Sequence, residues 1–203
     1  VQESPVNAFK LADMDEGFGI GAPYIDPREQ ACDFSCDGLE SVLACPTGAL
    51  THHINYSHET DMASARVVNE SHCLAVMGMA FNGQARGADF KGKLRYEDVD
   101  RWNPIKVSEY PYDLELCDLC VRQCPIEIRI AQCEAGKPPS GDENQCPPQH
   151  AIKLETIASE DGVVRKRPVI LEGCVGCGVC EMICPPEPAV IVMDSTESRG
   201  MTA

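Results

Sequence analysis

The stretch Cys174-Val-Gly-Cys177-Gly-Val-Cys180-Glu-Met-Ile-Cys184-Pro185 contains the pattern that decides the fold. Two, two and three residues separate its four cysteines and proline follows the last one, which is the spacing of iron–sulfur ligands. The first three thiolates can hold three corners of one [4Fe-4S] cubane, because Gly176 and Gly178 permit tight turns between them. We expect the fourth cysteine to begin a helix that points away and to bind a second cluster. Zinc is disfavoured, because zinc sites pair two-residue spacings at a distance.

A second motif, Cys117-Asp-Leu-Cys120-Val-Arg-Gln-Cys124-Pro125, repeats the last three cysteine positions of this pattern. Leu114 stands where the first cysteine belongs, and the nearest thiol upstream is Cys73. Cys73 can reach the vacant position if residues 74–116 are an insertion, since the entropic cost of a loop grows only logarithmically with its length. The predicted ligands are Cys124, Cys174, Cys177 and Cys180 for one [4Fe-4S] cluster and Cys73, Cys117, Cys120 and Cys184 for the other.

The cysteine groups form a degenerate internal repeat. Four Cys-Pro pairs, each followed by short apolar or β-prone residues, begin at Cys45, Cys124, Cys146 and Cys184. Alternating residues at 151–155 and 167–171 predict short strands, and Asp161-Gly162 between them predicts a turn. Each repeat is therefore expected to contain a cysteine loop, a short helix and a strand. Two polar or Gly/Pro-rich stretches, at about 74–116 and 134–145, interrupt the pattern and are expected to be surface insertions.

The composition excludes several classes of protein. The chain has 203 residues, with 32 acidic against 17 basic side chains, a formal net charge of −15 and 13 cysteines. This acidity argues against nucleic acid and anionic membrane surfaces as partners, because both attract Lys and Arg clusters. The longest apolar stretch, 73–81, is far shorter than the ~20 residues of a membrane-spanning helix. Because Val occupies position 1, a processed mature chain or a trimmed one is expected.

The motifs resemble those of the NapG/MauM-type periplasmic polyferredoxins, a family of bacterial 4Fe-4S ferredoxins. The shared features are Ser71-His-Cys73-Leu ahead of the Cys117 group, Gly21-Ala-Pro-Tyr24, and the Cys-Pro-Thr-Gly-Ala-Leu ending that begins at Cys45. The resemblance covers roughly residues 21–72 and both sides of the insertions through Met193. It implies a periplasmic or otherwise exported protein, in a family whose members carry four cubane clusters in two pairs.

The N-terminal part departs from the family pattern. Residues 1–31 contain no cysteine, although the family's first cysteine loop belongs there, and Ser41 replaces the third cysteine of the next loop. Cys32, Cys36 and Cys45 remain without a complete cluster between them. We expect the first pair of clusters to be lost and its scaffold kept, although a third cluster on these three thiols and another donor stays open.

Cys133 and Cys146 bracket a hydrophilic loop. In an exported protein a disulfide there would contribute about 3 kcal/mol, so we predict this bond. We also predict at least one disulfide among Cys32, Cys36 and Cys45. The alternative is that Cys146 replaces Cys124 as a cluster ligand, because the family places an Ala-Ile-x-Leu-Glu strand soon after that ligand.

These observations predict an α+β fold. A ferredoxin-like dicluster core of pseudo-repeated β-α-β units is expected at residues 73–203, after a degenerate ferredoxin-like arm at residues 1–72. The predicted function is an electron carrier, not an enzyme, that passes single electrons through two [4Fe-4S] clusters within an exported respiratory or dehydrogenase system. The alternative is an accessory, maturation or architectural iron–sulfur subunit of a larger oxidoreductase complex.

The predicted partners are proteins, either a c-type cytochrome or an oxidoreductase subunit. The strong negative charge would steer a basic partner toward the chain, or it would only keep the protein soluble. The insertion at 74–116 contains six of the aromatic side chains, which either form a docking surface or pack on their own loop. These are Phe81, Phe90, Tyr96, Trp102, Tyr110 and Tyr112.

Overall fold

The computed structural model combines short helices and short strands, which confirms the α+β class. It describes residues 4–16, 19–36, 40–45, 53–96, 103–157 and 162–195. The strands are β1 (Lys10–Leu11), β2 (Pro23–Tyr24), β3 (Ser64–Val67), β4 (Phe81–Gly83), β5 (Lys93–Leu94), β6 (Ile105–Lys106), β7 (Tyr112–Leu114), β8 (Ile152–Ile157), β9 (Arg165–Ile170) and β10 (Ile191–Asp194). The α-helices are α1 (Glu40–Leu43), α2 (Leu119–Arg122), α3 (Pro125–Glu134) and α4 (Val179–Ile183).

The strands of the described residues pair into five two-stranded antiparallel sheets, namely β1–β2, β3–β10, β4–β7, β5–β6 and β8–β9. The β3–β10 sheet joins distant parts of the chain, with Ser64 opposite Asp194 and Val67 opposite Ile191. The β4–β7 and β5–β6 sheets lie within the predicted insertion at 74–116. The described residues of that insertion therefore form strands of the fold.

The strands predicted at 151–155 and 167–171 are confirmed as β8 and β9. They form a hairpin of six residues on each side, with Ile152 opposite Ile170 and Leu154 opposite Pro168. Asp161 of the predicted turn lies outside the described residues, whereas Gly162 has φ +76°, a value that glycine adopts without steric cost.

The residues after the Cys-Pro pairs differ from the prediction in two places. Cys124 is followed by α3 and not by a strand, because proline at the first helical turn presets φ. Arg129 on this helix is buried and donates to the Phe34 carbonyl at 2.9 Å and to Gln145 Oε1 at 2.7 Å. Cys184 ends α4 and does not begin a helix, because the two prolines that follow it disfavour helical backbone. The residues after Cys45 lie outside the described residues.

The cysteines outside the two predicted cluster motifs give one confirmation and one correction. Cys133 and Cys146 form the predicted disulfide and close the loop between them. No disulfide joins Cys32, Cys36 and Cys45 to one another, so that prediction was wrong. The physical reason is that Cys32 and Cys36 are both buried and form hydrogen bonds with different partners. Cys32 accepts a hydrogen bond from the Phe34 amide, and Cys36 shares one with the Glu40 side chain.

One hydrophobic core connects the N-terminal arm with the C-terminal half. Ala31 and Phe34 of the arm belong to the same buried cluster as Val179 and Met182 of α4. The Ala31 amide also donates to the Met182 sulfur at 3.2 Å. Among the described residues, no helix is long and apolar enough to cross a membrane. The core therefore brings the arm directly against the helix that carries Cys180.

Candidate functional site

Two cavities lie side by side, and four cysteines line the first while five line the second. We call them site A and site B. The cysteines that define site A are Cys124, Cys174, Cys177 and Cys180. Those that define site B are Cys73, Cys117, Cys120 and Cys184. The structure thus brings together all eight cysteines of the two predicted ligand sets, in the predicted groups.

Helices α2 and α4 distribute the cysteines between the sites. Cys120 lies in α2 and lines site B, whereas Cys124, four residues later, lies at the start of α3 and lines site A. On α4 the order is reversed, because Cys180 belongs to site A and Cys184 at the helix end lines site B. Cys180 also borders site B. Each helix therefore connects the two sites, which explains their close spacing.

The loop before α4 requires its two glycines. Gly176 has φ +69° and Gly178 has φ +85°, a region that other residues rarely adopt. A Cβ atom on Gly176 would also collide with the backbone of Ala63, and one on Gly178 with the Pro27 side chain. The Met62 amide donates to the Val175 carbonyl at 3.0 Å, which holds the segment before β3 against this loop. The expectation of tight turns is confirmed here.

Apolar side chains complete the walls of both cavities. In site A, Ile152 and Ile170 of the β8–β9 hairpin lie opposite the cysteines, and in site B the hairpin contributes Leu154 and Pro168. Such walls exclude water and lower the local dielectric constant, so charges inside interact strongly.

Burial has the largest effect on the cysteine thiols. It raises the pKa of Cys124 to about 12 and the pKa of Cys117 to about 11. The pKa values of Cys120, Cys177 and Cys180 are also raised, first by burial and then by neighbouring cysteines. Without a bound cation these thiols are protonated at neutral pH. Binding of a metal centre would have to release those protons.

Backbone amides partly offset this burial. The amides of Ile126 and Glu127, in the first turn of α3, lower the pKa of the Cys124 thiol. The Val190 amide donates to Cys184 Sγ at 3.4 Å. Donors of this kind stabilise negative charge on sulfur, which is the state needed for metal ligation.

Arg28 is a residue near site B that the sequence analysis missed. Its guanidinium donates to the carbonyls of Glu181 and Pro186, to the Cys184 carbonyl at 2.9 Å, and to the Glu187 carboxylate at 2.7 Å. It thereby holds the end of α4 and the loop after it. It also lowers the pKa of the Cys184 thiol against the larger effect of burial.

Arg86 is a second missed residue. It donates to the Met182 carbonyl at 3.0 Å and to the Arg28 carbonyl at 3.1 Å, and its guanidinium lies 4.5 Å from the centre of the Phe90 ring. The side chains of Arg28 and Arg86 are only 18% and 15% exposed. Each arginine lies alone in its sequence segment, so no local pattern could have identified either of them.

The other sequence candidates do not line the two cavities, although Cys32 is close enough to Cys177 to raise the pKa of that thiol. Cys146 is bonded to Cys133, which removes the alternative to Cys124 in this structure. Cys32, Cys36 and Cys45 do not line site A or site B. Among the described residues, no group of three or more His, Cys, Asp and Glu side chains is placed to hold a single metal ion.

The aromatic residues of the insertion pack largely on one another. The Tyr96 and Tyr110 rings stack with centres 3.8 Å apart, and the Tyr96 and Tyr112 hydroxyls are 3.3 Å apart. Tyr96 and Tyr112 are buried. Trp102 lies outside the described residues. These three tyrosines therefore pack within the insertion, and a docking role for the region stays a prediction.

Comparison with curated proteins supports the family suggested by the motifs. The chain is 25% identical over 201 residues to the ferredoxin-type protein NapG of Escherichia coli strain K12, covering 98% of this chain and 63% of that protein. It is 27% identical over 184 residues to the methylamine utilization ferredoxin-type protein MauM of Paracoccus denitrificans, covering 91% of this chain and 56% of the relative. The NapG protein of Haemophilus influenzae is 23% identical over 202 residues, covering 99% and 53%.

These similarities confirm the resemblance to NapG and MauM. The chain spans about 53–63% of the length of the curated relatives it matches. No family model matches it, and no solved structure gives a significant match.

Proposed function

From its relationship to the NapG and MauM ferredoxin-type proteins, we propose that this chain is an electron-transfer protein with two [4Fe-4S] clusters, one at each site. The names of the relatives support an iron–sulfur electron-transfer role. The observation that carries the finer proposal is the presence of two adjacent cavities whose walls together contain eight cysteines, with Cys180 on the wall of both. Such clusters supply one-electron redox chemistry when bound.

The donor set of each site suits this cofactor. Four thiols line site A, and four cysteine thiolates are the ligand set of a [4Fe-4S] cluster. The apolar side chains exclude water, and the amides near Cys124 and Cys184 donate toward sulfur. The chain's own work is therefore to hold eight thiolates, to keep water out and to set the spacing of the two sites.

The role of the chain follows from that arrangement. Because Cys180 borders both sites, an electron that enters at one site is close to the other. We propose that the chain carries electrons between a c-type cytochrome or an oxidoreductase subunit and another redox partner, and that it performs no substrate chemistry itself. The Cys133–Cys146 disulfide favours an exported, oxidising location such as the periplasm.

The test is the iron and sulfide content of anaerobically purified protein. We expect about eight iron atoms and about eight sulfides per chain, with zinc absent, since each cubane contains four of each. The variant Cys177→Ser should lose the cluster at site A, and the matched variant Cys36→Ser, at a buried thiol outside both sites, should retain both. Zinc in place of iron would overturn the proposal, and about twelve iron atoms would revive the N-terminal cluster.

A further inference from the structure

The β8–β9 hairpin covers both sites with a single layer of backbone. Its inward residues divide between the cavities, with Ile152 and Ile170 lining site A and Leu154 and Pro168 lining site B. These residues are paired across the two strands. A protein bound to the outer face of this hairpin would be separated from either site by only one strand layer. A partner bound at this one surface would therefore lie close to both sites.

The outer face of the hairpin is basic. Side chains alternate between the two faces of a strand, so Lys153, Glu155, Arg165 and Arg167 point away from the cavities. The side chains of Lys153 and Arg167 are 51% and 54% exposed. Three of these outer residues are basic and one is acidic, in a chain where 32 acidic residues outnumber 17 basic ones. Glu155 forms ion pairs with Lys153 at 2.9 Å and with Arg167 at 3.4 Å, so these three side chains together carry a net charge of +1.

An exposed apolar patch lies beside this basic face. It consists of Met77, Met79, Val163 and Val164, which are 43%, 49%, 41% and 61% exposed. The segment that contains Met77 and Met79 contacts the segment that contains Val163 and Val164. A Cβ atom added to Gly78 would lie only 2.6 Å from the Val163 side chain.

The patch is continuous with both the hairpin and site B. The Lys166 amide donates to the Ala75 carbonyl at 3.0 Å, and Leu74 and Ala75 line site B next to Cys73. Methionine is enriched at protein interfaces, and exposed apolar groups next to a polar rim are typical of docking surfaces.

We propose that the outer face of the β8–β9 hairpin and this apolar patch form the docking surface for a redox protein whose own contact face is acidic with an apolar centre. The inference rests on the proposed function and names the chemistry of its partner. It differs from the expectation drawn from net charge, which favoured a basic partner. Contact-range charges decide binding once the two proteins are close, because at about 0.1 M salt the Debye length is ~10 Å and distant carboxylates are screened.

The test compares two double variants with the same change in charge. Lys153→Gln with Arg167→Gln neutralises the docking surface. Lys91→Gln with Lys137→Gln is the matched control, since both lysines are exposed and lie outside the hairpin. The probes are a basic c-type cytochrome and the same cytochrome with its lysines succinylated, which keeps the haem and reverses the surface charge.

The first readout is the stopped-flow rate of electron transfer from dithionite-reduced protein at about 0.1 M salt. We expect the docking variant to react roughly fivefold more slowly with the succinylated probe, while the control changes less than about twofold. Equal rates in the two variants would overturn the docking proposal and leave the proposed function intact. A chain without iron and sulfide would overturn both.

The second readout does not depend on bound clusters. Carbodiimide joins lysines to carboxylates in contact, so we expect the succinylated probe to link to Lys153 and not to Lys91. Links of equal yield at Lys91 and Lys137 would overturn the proposal. Sedimentation of the protein alone completes the test. If the unmodified protein is a dimer and the docking variant is a monomer, the face binds a second copy of this chain and the proposal is overturned.

Discussion

At the scale of single residues, two positions near the sites are constrained by their surroundings. Gly176 combines a positive φ with direct contact to the Ala63 backbone. Arg28 forms hydrogen bonds to three carbonyls around the end of α4. The first constraint is steric and the second is electrostatic. Substituting Gly176 should therefore mainly lower stability, whereas substituting Arg28 should mainly change the reduction potential at site B.

Replacing Gly176 with alanine should destabilise the protein and empty site A. The positive φ and the clash with Ala63 together should cost at least ~2 kcal/mol of the free energy of unfolding. Gly162→Ala is the control, because Gly162 has a similar φ of +76° and open space around it, and its cost should stay near ~1 kcal/mol. Denaturant unfolding and iron analysis measure both effects. Equal costs for the two variants would show that the Ala63 contact is unimportant.

Replacing Arg28 with glutamine should lower the reduction potential of a cluster at site B. A positive charge beside Cys184 favours the more negative, reduced state, so its loss should decrease the equilibrium constant for reduction roughly tenfold, or ~59 mV. Arg28→Lys keeps the charge and should restore most of the potential, and Lys91→Gln, at an exposed lysine that does not line site B, serves as the control. The measurement is a redox titration monitored by electron paramagnetic resonance. A potential that stays unchanged in Arg28→Gln would contradict the electrostatic role.

At the scale of elements, short helices and loops act as spacers between cysteines. Helix α2 places Cys120 at site B and leads into Cys124 at site A, and α4 places Cys180 and Cys184 in the opposite order. The disulfide loop at 134–145 lies between α3 and the covering hairpin. That loop therefore affects stability without contributing a cysteine to either site.

Removing the disulfide should separate stability from cluster content. The double variant Cys133→Ser with Cys146→Ser should lose about 3 kcal/mol of the free energy of unfolding, because the open loop gains entropy in the unfolded chain. Its iron content should stay at the value of the unmodified protein. Denaturant unfolding and iron analysis check the two outcomes. A loss of about four iron atoms would instead favour Cys146 as a ligand.

At the scale of the whole molecule, the two sites occupy space that an apolar core would otherwise fill. Aromatic residues make up only 5% of the chain, and the strands of the described residues form no sheet larger than two strands. Two-stranded sheets are only marginally stable by themselves. The β8–β9 hairpin and α4 contribute to the walls of both cavities. Bound clusters would therefore complete the core.

Removing the clusters should weaken the whole fold. Treatment with a chelator and an oxidant should lower the midpoint of thermal unfolding by at least about 10 °C, since ligation free energy becomes folding free energy. Circular dichroism of the treated and untreated protein measures this, and reconstitution with iron and sulfide should restore the midpoint. An unchanged midpoint after complete iron loss would show that the polypeptide alone stabilises the fold.

The sequence alone determined the local features of this protein. The spacing of the cysteines predicted two groups of four, and the structure places those thiols around sites A and B, while their binding of clusters stays a prediction. Alternation predicted β8 and β9, because period-two patterns depend only on neighbouring residues. The pattern failed after Cys124 and at Cys184, where proline sets the backbone and short apolar runs fit helix and strand equally well.

Only the tertiary structure decided which distant residues surround the sites. Arg28 and Arg86 reach the end of α4 from segments more than ninety residues away, and Ala63 packs against Gly176 from another part of the chain. The basic outer face exists because the β8–β9 hairpin turns its apolar face to both cavities. Such contacts arise from packing between elements, and no local sequence pattern encodes them.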